Sequence, residues 1–363
     1  MIVKVLFWGS LAALGWTHAG YPLVLRALVR VRKRPVGRDD ASLPSVSVIV
    51  AAHNEEPVIE RRIANLRALD YPADRLEIVV TSDASTDRTE ELAEAAGARV
   101  IRNPRGGKVA AQDHAVRETS SDVVAFSDAN ATWTPDALRK LVRNFADPDV
   151  AYVCGRANLY TDEGKTKEGA YWRYELALRA DESLLGSITG GNGPIYAVRR
   201  EDYVEVDPRF GHDLSFPYLM VQRGRRAVYD PDANSYEKAT PTSEDEYRRK
   251  VRMFEHCWAI VLEGKMLRRL PPLYFVEVVS HRHLRYASGL FHLVLLGTTA
   301  ALVTRGPLFQ VALGLQLGLL AAAAFGVGVA RYYVLVTWAT VASLVNYLRR
   351  GVSVTWEVAE GTR

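Results

Sequence analysis

A chain of 363 residues, 48% hydrophobic and 24% charged, can bury one sizeable core and still carry additional segments. Its formal net charge of +4 gathers beside apolar stretches, which points to membrane flanks and away from nucleic acid. Cys154 and Cys257 are the only cysteines and lack metal-ligand spacing, which excludes a disulfide framework or a zinc site and fits a reduced compartment.

The first element is apolar. Residues 5–25, VLFWGSLAALGWTHAGYPLVL, contain one histidine as their only ionisable group and are about long enough to cross a bilayer, so residues 1–30 read as an N-terminal transmembrane anchor. A cleaved signal peptide would be shorter and end in a small-x-small site. This run instead continues into Arg26, Arg30, Arg32, Lys33, Arg34 and Arg38, and basic residues after a span place the downstream chain in the cytoplasm.

Residues 43–272 then alternate apolar runs with helical patterns, as a parallel sheet requires. SVSVIVAAHNEEPVIERRIANLRAL is strand, turn and helix; LEIVVTSDASTDRTEELAEAAG repeats it; ARVIRN is a strand, KVAAQDHAVRETS a helix and DVVAFSDAN a fourth strand. Pro135 is expected to open the next helix with Thr134 as its N-cap. Ligands of open α/β sheets gather at the carboxyl ends of the strands. Here His53, Asn54 and Glu55 follow the first strand, Asp83 the second, and Asp128 and Asn130 the fourth. Gly106-Gly107-Lys108 precedes the third helix, where glycines allow close backbone approach and a lysine can neutralise phosphate, although neither GxxxxGKS/T nor GxGxxG is present. A nucleotide diphosphate suits such a site. Downstream, Gly190, Gly191, Asn192 and Gly193 lie between a helix and a strand, and Tyr171, Trp172 and Tyr174 fit core packing better than sugar stacking.

After an interfacial stretch, 273–286, two runs in residues 287–330 flank Arg305-Gly306-Pro307 and read as a transmembrane hairpin. A third run, YYVLVTWATVASLVNYL, is shorter; if it spanned fully, Arg349, Arg350 and the C-terminus would lie outside. Residues 287–348 therefore hold a hairpin plus a third apolar segment, and 349–363 a polar tail.

VSVIVAAHNEE, VTSDASTDRT, GGKVAAQDHA and FSDAN together resemble the ordered nucleotide-sugar motifs of inverting family 2 glycosyltransferases with a GT-A fold, the membrane group of cellulose, chitin and hyaluronan synthases. GGNGPIYAVRRE, GHDLSFP, RRKVRM and SHRHLRY extend the likeness over most of the central segment. The resemblance implies an α/β GT-A domain in a multi-pass protein of the cell membrane, facing the cytoplasm. It implies transfer, with inversion, from a nucleotide-diphospho-sugar, a UDP-sugar first, to a polysaccharide or lipid-linked acceptor, with membrane lipid as a further partner. It assigns Asp83 and Glu55 to the nucleoside, Lys108, Arg249 and Arg252 to the diphosphate, Asn192 to the donor sugar and Asp213 to the catalytic base. Asp128 and Asn130 match the metal-binding DxD element, for Mg2+ or Mn2+, with an amide at its third position. Two further departures are His212 where the family has an acid and Met253 where it has a tryptophan; Trp258 lies nearby and could serve differently. A sugar nucleotidyltransferase and an inactive membrane scaffold of the same fold are the alternatives.

Overall fold

The computed structural model describes residues 1–160, 169–240 and 242–355; the end of the tail, 356–363, lies outside the described residues. An eight-stranded mixed sheet forms the centre, in the order β3-β2-β1-β4-β7-β6-β8-β5. Its strands are β1 (Val46–Ala52), β2 (Leu76–Asp83), β3 (Arg99–Asn103), β4 (Val123–Asp128), β5 (Thr132–Trp133), β6 (Val150–Tyr160), β7 (Tyr196–Arg199) and β8 (Arg226–Lys238). The expected parallel half is present: β1 pairs in parallel with β2 and β4, and β2 with β3. Chain direction reverses at β7, antiparallel to both β4 and β6. Strand order departs to either side of β1, which opens a crevice at the carboxyl ends of β1 and β4, where open α/β sheets hold ligands.

The apolar strands are explained by cover on both faces. Helices in the amino-terminal region are α1 (Ile2–Gly15) and α2 (Tyr21–Val31), and those around the sheet begin with α3 (Ile59–Arg67), α4 (Thr89–Ala95), α5 (Lys108–Arg117) and α6 (Ala137–Val142). They continue with α7 (Ala170–Leu185), α8 (His212–Gln222) and α9 (Ser243–Glu263). Val48 and Val50 of β1 face α3 and α6, while Ile49 faces α5 and α8, as period-two alternation demands. The helix after β5 starts at Ala137 with Asp136 as its N-cap residue. Thr134 instead donates its hydroxyl to Asp136, so the start expected at Pro135 comes two residues later.

The chain's apolar ends pack together on one side. The remaining helices are α10 (Pro272–Val278), α11 (Leu284–Tyr286), α12 (Ser288–Leu302), α13 (Pro307–Ala324) and α14 (Gly328–Arg350). Ser288–Arg305, Pro307–Ala324 and Gly328–Arg350 are long and apolar enough to cross a membrane. The 5–25 run is not one uninterrupted α-helix, because a π turn at Trp16–Gly20 separates α1 from α2. Beyond that turn Tyr21, Leu25 and Val29 pack on Leu178 and Leu185 of α7, so the second half of the expected anchor belongs to the sheet domain's surface. α1 itself packs Phe7 against Phe309, 5.0 Å between rings, beside Leu295 and Leu302.

α14 behaves differently from the hairpin. Val336 and Ala339 pack on Phe254 and Trp258 of α9, Trp258 Nε1 donates to the Thr340 carbonyl at 2.9 Å, and Asn346 and Arg350 reach Glu255 at 2.8 and 3.2 Å. Both halves of α14 thus lie along one helix of the sheet domain, and residue 354 returns to the backbone of Gly107.

Candidate functional site

The turns after β1 and β2 are laced together before any ligand is considered. Asn54 takes the left-handed conformation at φ 55°, its side chain accepts from Thr86 N at 2.8 Å, and Glu55 N donates to Thr89 Oγ1 at 2.7 Å. Asp83 is fully buried. Its carboxylate accepts from Gly106 N at 2.6 Å, from Gly107 N at 3.1 Å and from Arg105 at 2.9 Å. The acid expected to read a base is here engaged in shaping the glycine loop, both of its oxygens already accepting hydrogen bonds from residues 105–107. Gly107 sits at φ 91°, a backbone region that L side chains rarely adopt.

That loop delivers Lys108 to the end of β4, where its ammonium pairs with Asp128 Oδ1. Burial disfavours the Lys108 charge, and the adjacent Asp128 carboxylate more than offsets this, so the lysine titrates above its ordinary value. Gly193 covers the pair closely: a Cβ there would stand 3.4 Å from Asp128 and 3.5 Å from Lys108. Asn192, next to it, donates to the Gly155 carbonyl at 2.6 Å while its own Oδ1 is buried without a hydrogen-bond partner. The donor set suits a hard divalent cation: Asp128 already attracts a cation, Asn130 follows at the same strand end, and Mg2+ or Mn2+ completes its shell from phosphate and water. Among the described residues no three His, Cys, Asp or Glu side chains gather into a group that could hold a metal ion by themselves.

Asp213 enters from the first turn of α8. Its carbonyl accepts from Gly191 N at 2.8 Å, which ties the base candidate to the glycine loop. Burial pushes the Asp213 carboxyl above its usual range; Lys108 opposes that shift, the Asp128 charge reinforces it, and His212 opposes it. His212 turns the other way. It is 2% exposed, stacks on Phe216 with ring centroids 4.8 Å apart and meets Asp113 at 3.0 Å. The imidazole that replaces the family's first acid therefore serves the core beneath α8.

Arg249 is engaged by Glu246 at 2.9 and 3.0 Å, and Arg252 lies exposed on the same helix. Trp258 is 6% exposed, packed between α9 and α14, and Met253 packs against the same cluster. Trp172 joins the core and donates to the Ala157 carbonyl at 3.2 Å. Tyr171 and Tyr174 instead flank the Arg285 guanidinium at 5.3 and 5.1 Å.

Three residues of this neighbourhood carried no individual assignment from sequence. Arg282 donates to Thr189 at 2.9 Å and covers Gly190, and Arg179 donates to the Gly191 carbonyl at 3.2 Å, so two guanidinia clamp the glycine loop. Lys250 is buried beside Arg249, and burial together with that charge pushes it down to about 8 against the pull of Glu246. The density of charge in SHRHLRY just ahead of an apolar run was the available signal for Arg282; nothing local marks Arg179 or Lys250.

Comparison with known proteins bears on the family and the fold. Residues 47–206 match the model of glycosyl transferase family 2. An N-acetylglucosaminyltransferase of Rhizobium meliloti is 29% identical over 70% of this chain and 67% of its own. A beta-monoglucosyldiacylglycerol synthase of Synechocystis is 34% identical over 52% of this chain, and that match spans 42% of the relative's length. A mannosyltransferase from Pyrobaculum calidifontis, solved with GDP-Man and Mn2+, superimposes with a TM-score of 0.75 at 25% identity, covering 94% of this chain and 99% of that one.

Proposed function

Since the chain carries a family 2 glycosyltransferase domain on a GT-A fold, we propose that it transfers a sugar from a nucleotide-diphospho-sugar, the UDP form first, to a glycan or lipid-linked hydroxyl with inversion. The observation that carries the reading is the convergence of Lys108, Asp128 and Gly193 at the end of β4 beside the loop that holds Asp213. The relatives' names support the acceptor classes: one is a poly-beta-1,6-N-acetyl-D-glucosamine synthase, another a beta-monoglucosyldiacylglycerol synthase.

In this reaction Asp213 takes the proton of the acceptor hydroxyl as the oxygen attacks the anomeric carbon. The new C–O bond forms on the face opposite the departing diphosphate, and the broken bond's electron pair leaves with that group. A divalent ion held by Asp128 and Asn130 would supply charge to stabilise the leaving group. Lys108 sits at the same strand end and offers a second positive charge to the diphosphate, with Arg249 and Arg252 approaching from α9. Glu55 and Asp83 shape the nucleoside end, Asn192 meets the donor sugar, and the glycine loop clamped by Arg179 and Arg282 fixes the distance between donor and base. The basic run 26–38 supports a cytoplasmic position for this domain in a multi-pass membrane protein.

The test is direct. Detergent-purified protein is incubated with UDP-, GDP- and dTDP-sugars plus Mg2+ or Mn2+, and nucleotide release and products are followed. Metal-dependent release from a UDP-sugar, with the inverted anomer in the product, is the expected result; release from GDP-sugars alone would replace the uridine assignment, and no release from any donor would remove the reading.

A further inference from the structure

Between α12, α13 and α14 lies a cavity of about 240 Å3, lined by none of the residues assigned to the sugar-nucleotide site. Its wall is almost wholly apolar and includes Leu296 of α12, Leu320 of α13, and Val334 and Trp338 of α14. An apolar cavity of roughly 150 Å3 in a protein core already stays dry and admits a benzene-sized guest, so this one is large enough for a length of hydrocarbon. Its origin is a close helix contact beside it. A Cβ on Gly289 would stand 2.5 Å from the Thr337 carbonyl, so glycine lets α12 and α14 touch there while α13, barely buried, leaves the space next to them open. Trp338 is 52% exposed and Leu320 44%, which opens the cavity sideways toward the surroundings of the apolar helices.

One end of the cavity is polar. His292 Nε2 meets the Tyr333 hydroxyl at 2.7 Å, and Tyr333 meets His18 at 3.4 Å. The neighbouring Tyr332 packs edge-on to Tyr171 at 5.6 Å, and Tyr171 lies under Arg285. The opposite face of α14 is continuous with the catalytic side: Val336 and Ala339 share one apolar cluster with Phe254, Trp258 and Leu214, and Leu214 directly follows Asp213. Two helices, α14 and the α9 it packs on, therefore lie between the apolar cavity and the base candidate, and the polar end of the cavity leads around them toward Arg285 through Tyr332 and Tyr171.

We infer that this cavity seats the hydrocarbon chain of a lipid acceptor, whose hydroxyl-bearing headgroup leaves by the His292–Tyr333 end and reaches the sugar donor at Asp213. The inference rests on the glycosyltransferase reading and narrows its acceptor to a membrane lipid. In the transfer the lipid O–H gives its proton to Asp213, its oxygen bonds to the anomeric carbon, and the bond from that carbon to the diphosphate oxygen breaks with its electron pair on the diphosphate. A hydrocarbon chain fits the wall because it offers no polar group that the wall leaves unsatisfied.

The full chain is placed in phosphatidylcholine nanodiscs containing a diacylglycerol with a diazirine in one acyl chain, irradiated, and the adducts mapped. Adducts should concentrate on residues 289–296 and 333–341, and should fall about tenfold in both Val334→Trp and Leu320→Trp, which fill the cavity from a packed and from an exposed helix. UDP binding, unchanged in both variants, certifies that they are folded. Adducts spread equally over the outward faces of α1 and α13, or unaffected by either substitution, would mean annular lipid only and overturn the cavity assignment. Donor turnover on the same preparations separates the two levels. A donor cleaved by water, with no lipid product and no cavity adduct, ends the lipid-acceptor inference and leaves the transferase; cavity adducts with no cleavage of any donor end the transferase reading and the acceptor assignment with it.

Discussion

Asp213 is asked to take a proton, and its surroundings bear on that task in a measurable way. Its carboxyl is raised by burial and by Asp128, against Lys108 and His212, so the ionised form costs the folded state free energy. A carboxyl raised on folding contributes its stability at low pH, and that contribution is lost as pH rises through the folded value. Asp213→Asn should therefore melt no lower than the parent at neutral pH, while transfer falls at least about a hundredfold, within the usual range for a lost general base. UDP-sugar binding should hardly change, because the base acts on the acceptor. The parent's rate should fall as pH drops through a value above the ordinary aspartate range. Turnover, titration calorimetry and melting on one preparation check all of this; a folded mutant with near-normal turnover would end the base assignment. Asp128 makes the complementary case. Asp128→Ala leaves Asn130 without a carboxylate partner and releases Lys108, so metal-dependent UDP affinity should disappear, and unchanged affinity with and without Mn2+ in calorimetry would remove the metal assignment.

At the scale of elements, the glycine loop between β3 and α5 is held in place by Asp83, which ties the second strand to the start of α5 through Gly106 and Gly107. Gly107→Ala puts a side chain at φ 91° against the carbonyl of Val354, so the loop must move. The expected readout is a donor KM raised severalfold with little change in melting; an unaltered KM would show that the loop does not meet the donor. The α9 helix offers a pH test. Lys250 is lowered to about 8, so its buried ammonium costs stability that builds up as pH falls from the ordinary lysine value of 10.5 to about 8 and is complete below that. Lys250→Met should raise the melting temperature at neutral pH, with the gap closing as pH approaches 10.5. These elements also mark what could be read without coordinates. Strand ends carrying Asp83 and Asp128 were legible because each strand is a continuous apolar run that stops at an acid. The engagement of Asp83 by Arg105 and the turn of His212 into the core were not, because both depend on partners 22 and 99 positions away. The resemblance supplied the motif order, but it could not say that Trp258 would be sealed between two helices.

At the scale of the whole molecule the packing of α14 bears on how the chain's ends sit relative to a membrane. By length and hydropathy alone α14 qualifies as a span, and counting three spans after the sheet domain would carry the C-terminus outside. Packing argues otherwise. A helix crossing the bilayer would leave the sheet domain behind, yet α14 meets Tyr171 near its start through Tyr332, α9 midway through Thr340, and Glu255 near its end through Arg350. Arg349 and Arg350 at its last turn also favour the cytoplasmic side, where basic flanks accumulate. We propose that the hairpin α12–α13 is the membrane-inserted pair, with its turn at Gly306 on the far side and α14 lying in the interface. Cysteine scanning checks this, since Cys154 and Cys257 are both buried and leave a quiet background. In intact cells a membrane-impermeant maleimide should label Thr304→Cys at the hairpin turn and should spare both Glu244→Cys at the start of α9 and Ser353→Cys after α14. All three should react once the membrane is permeabilised. Labelling of Ser353→Cys alongside Thr304→Cys would make α14 a full span, and the contacts of α14 with α9 would then have to be broken in the membrane. Labelling of Glu244→Cys from outside would invert the whole arrangement and place the sugar-nucleotide site away from its cytoplasmic donors.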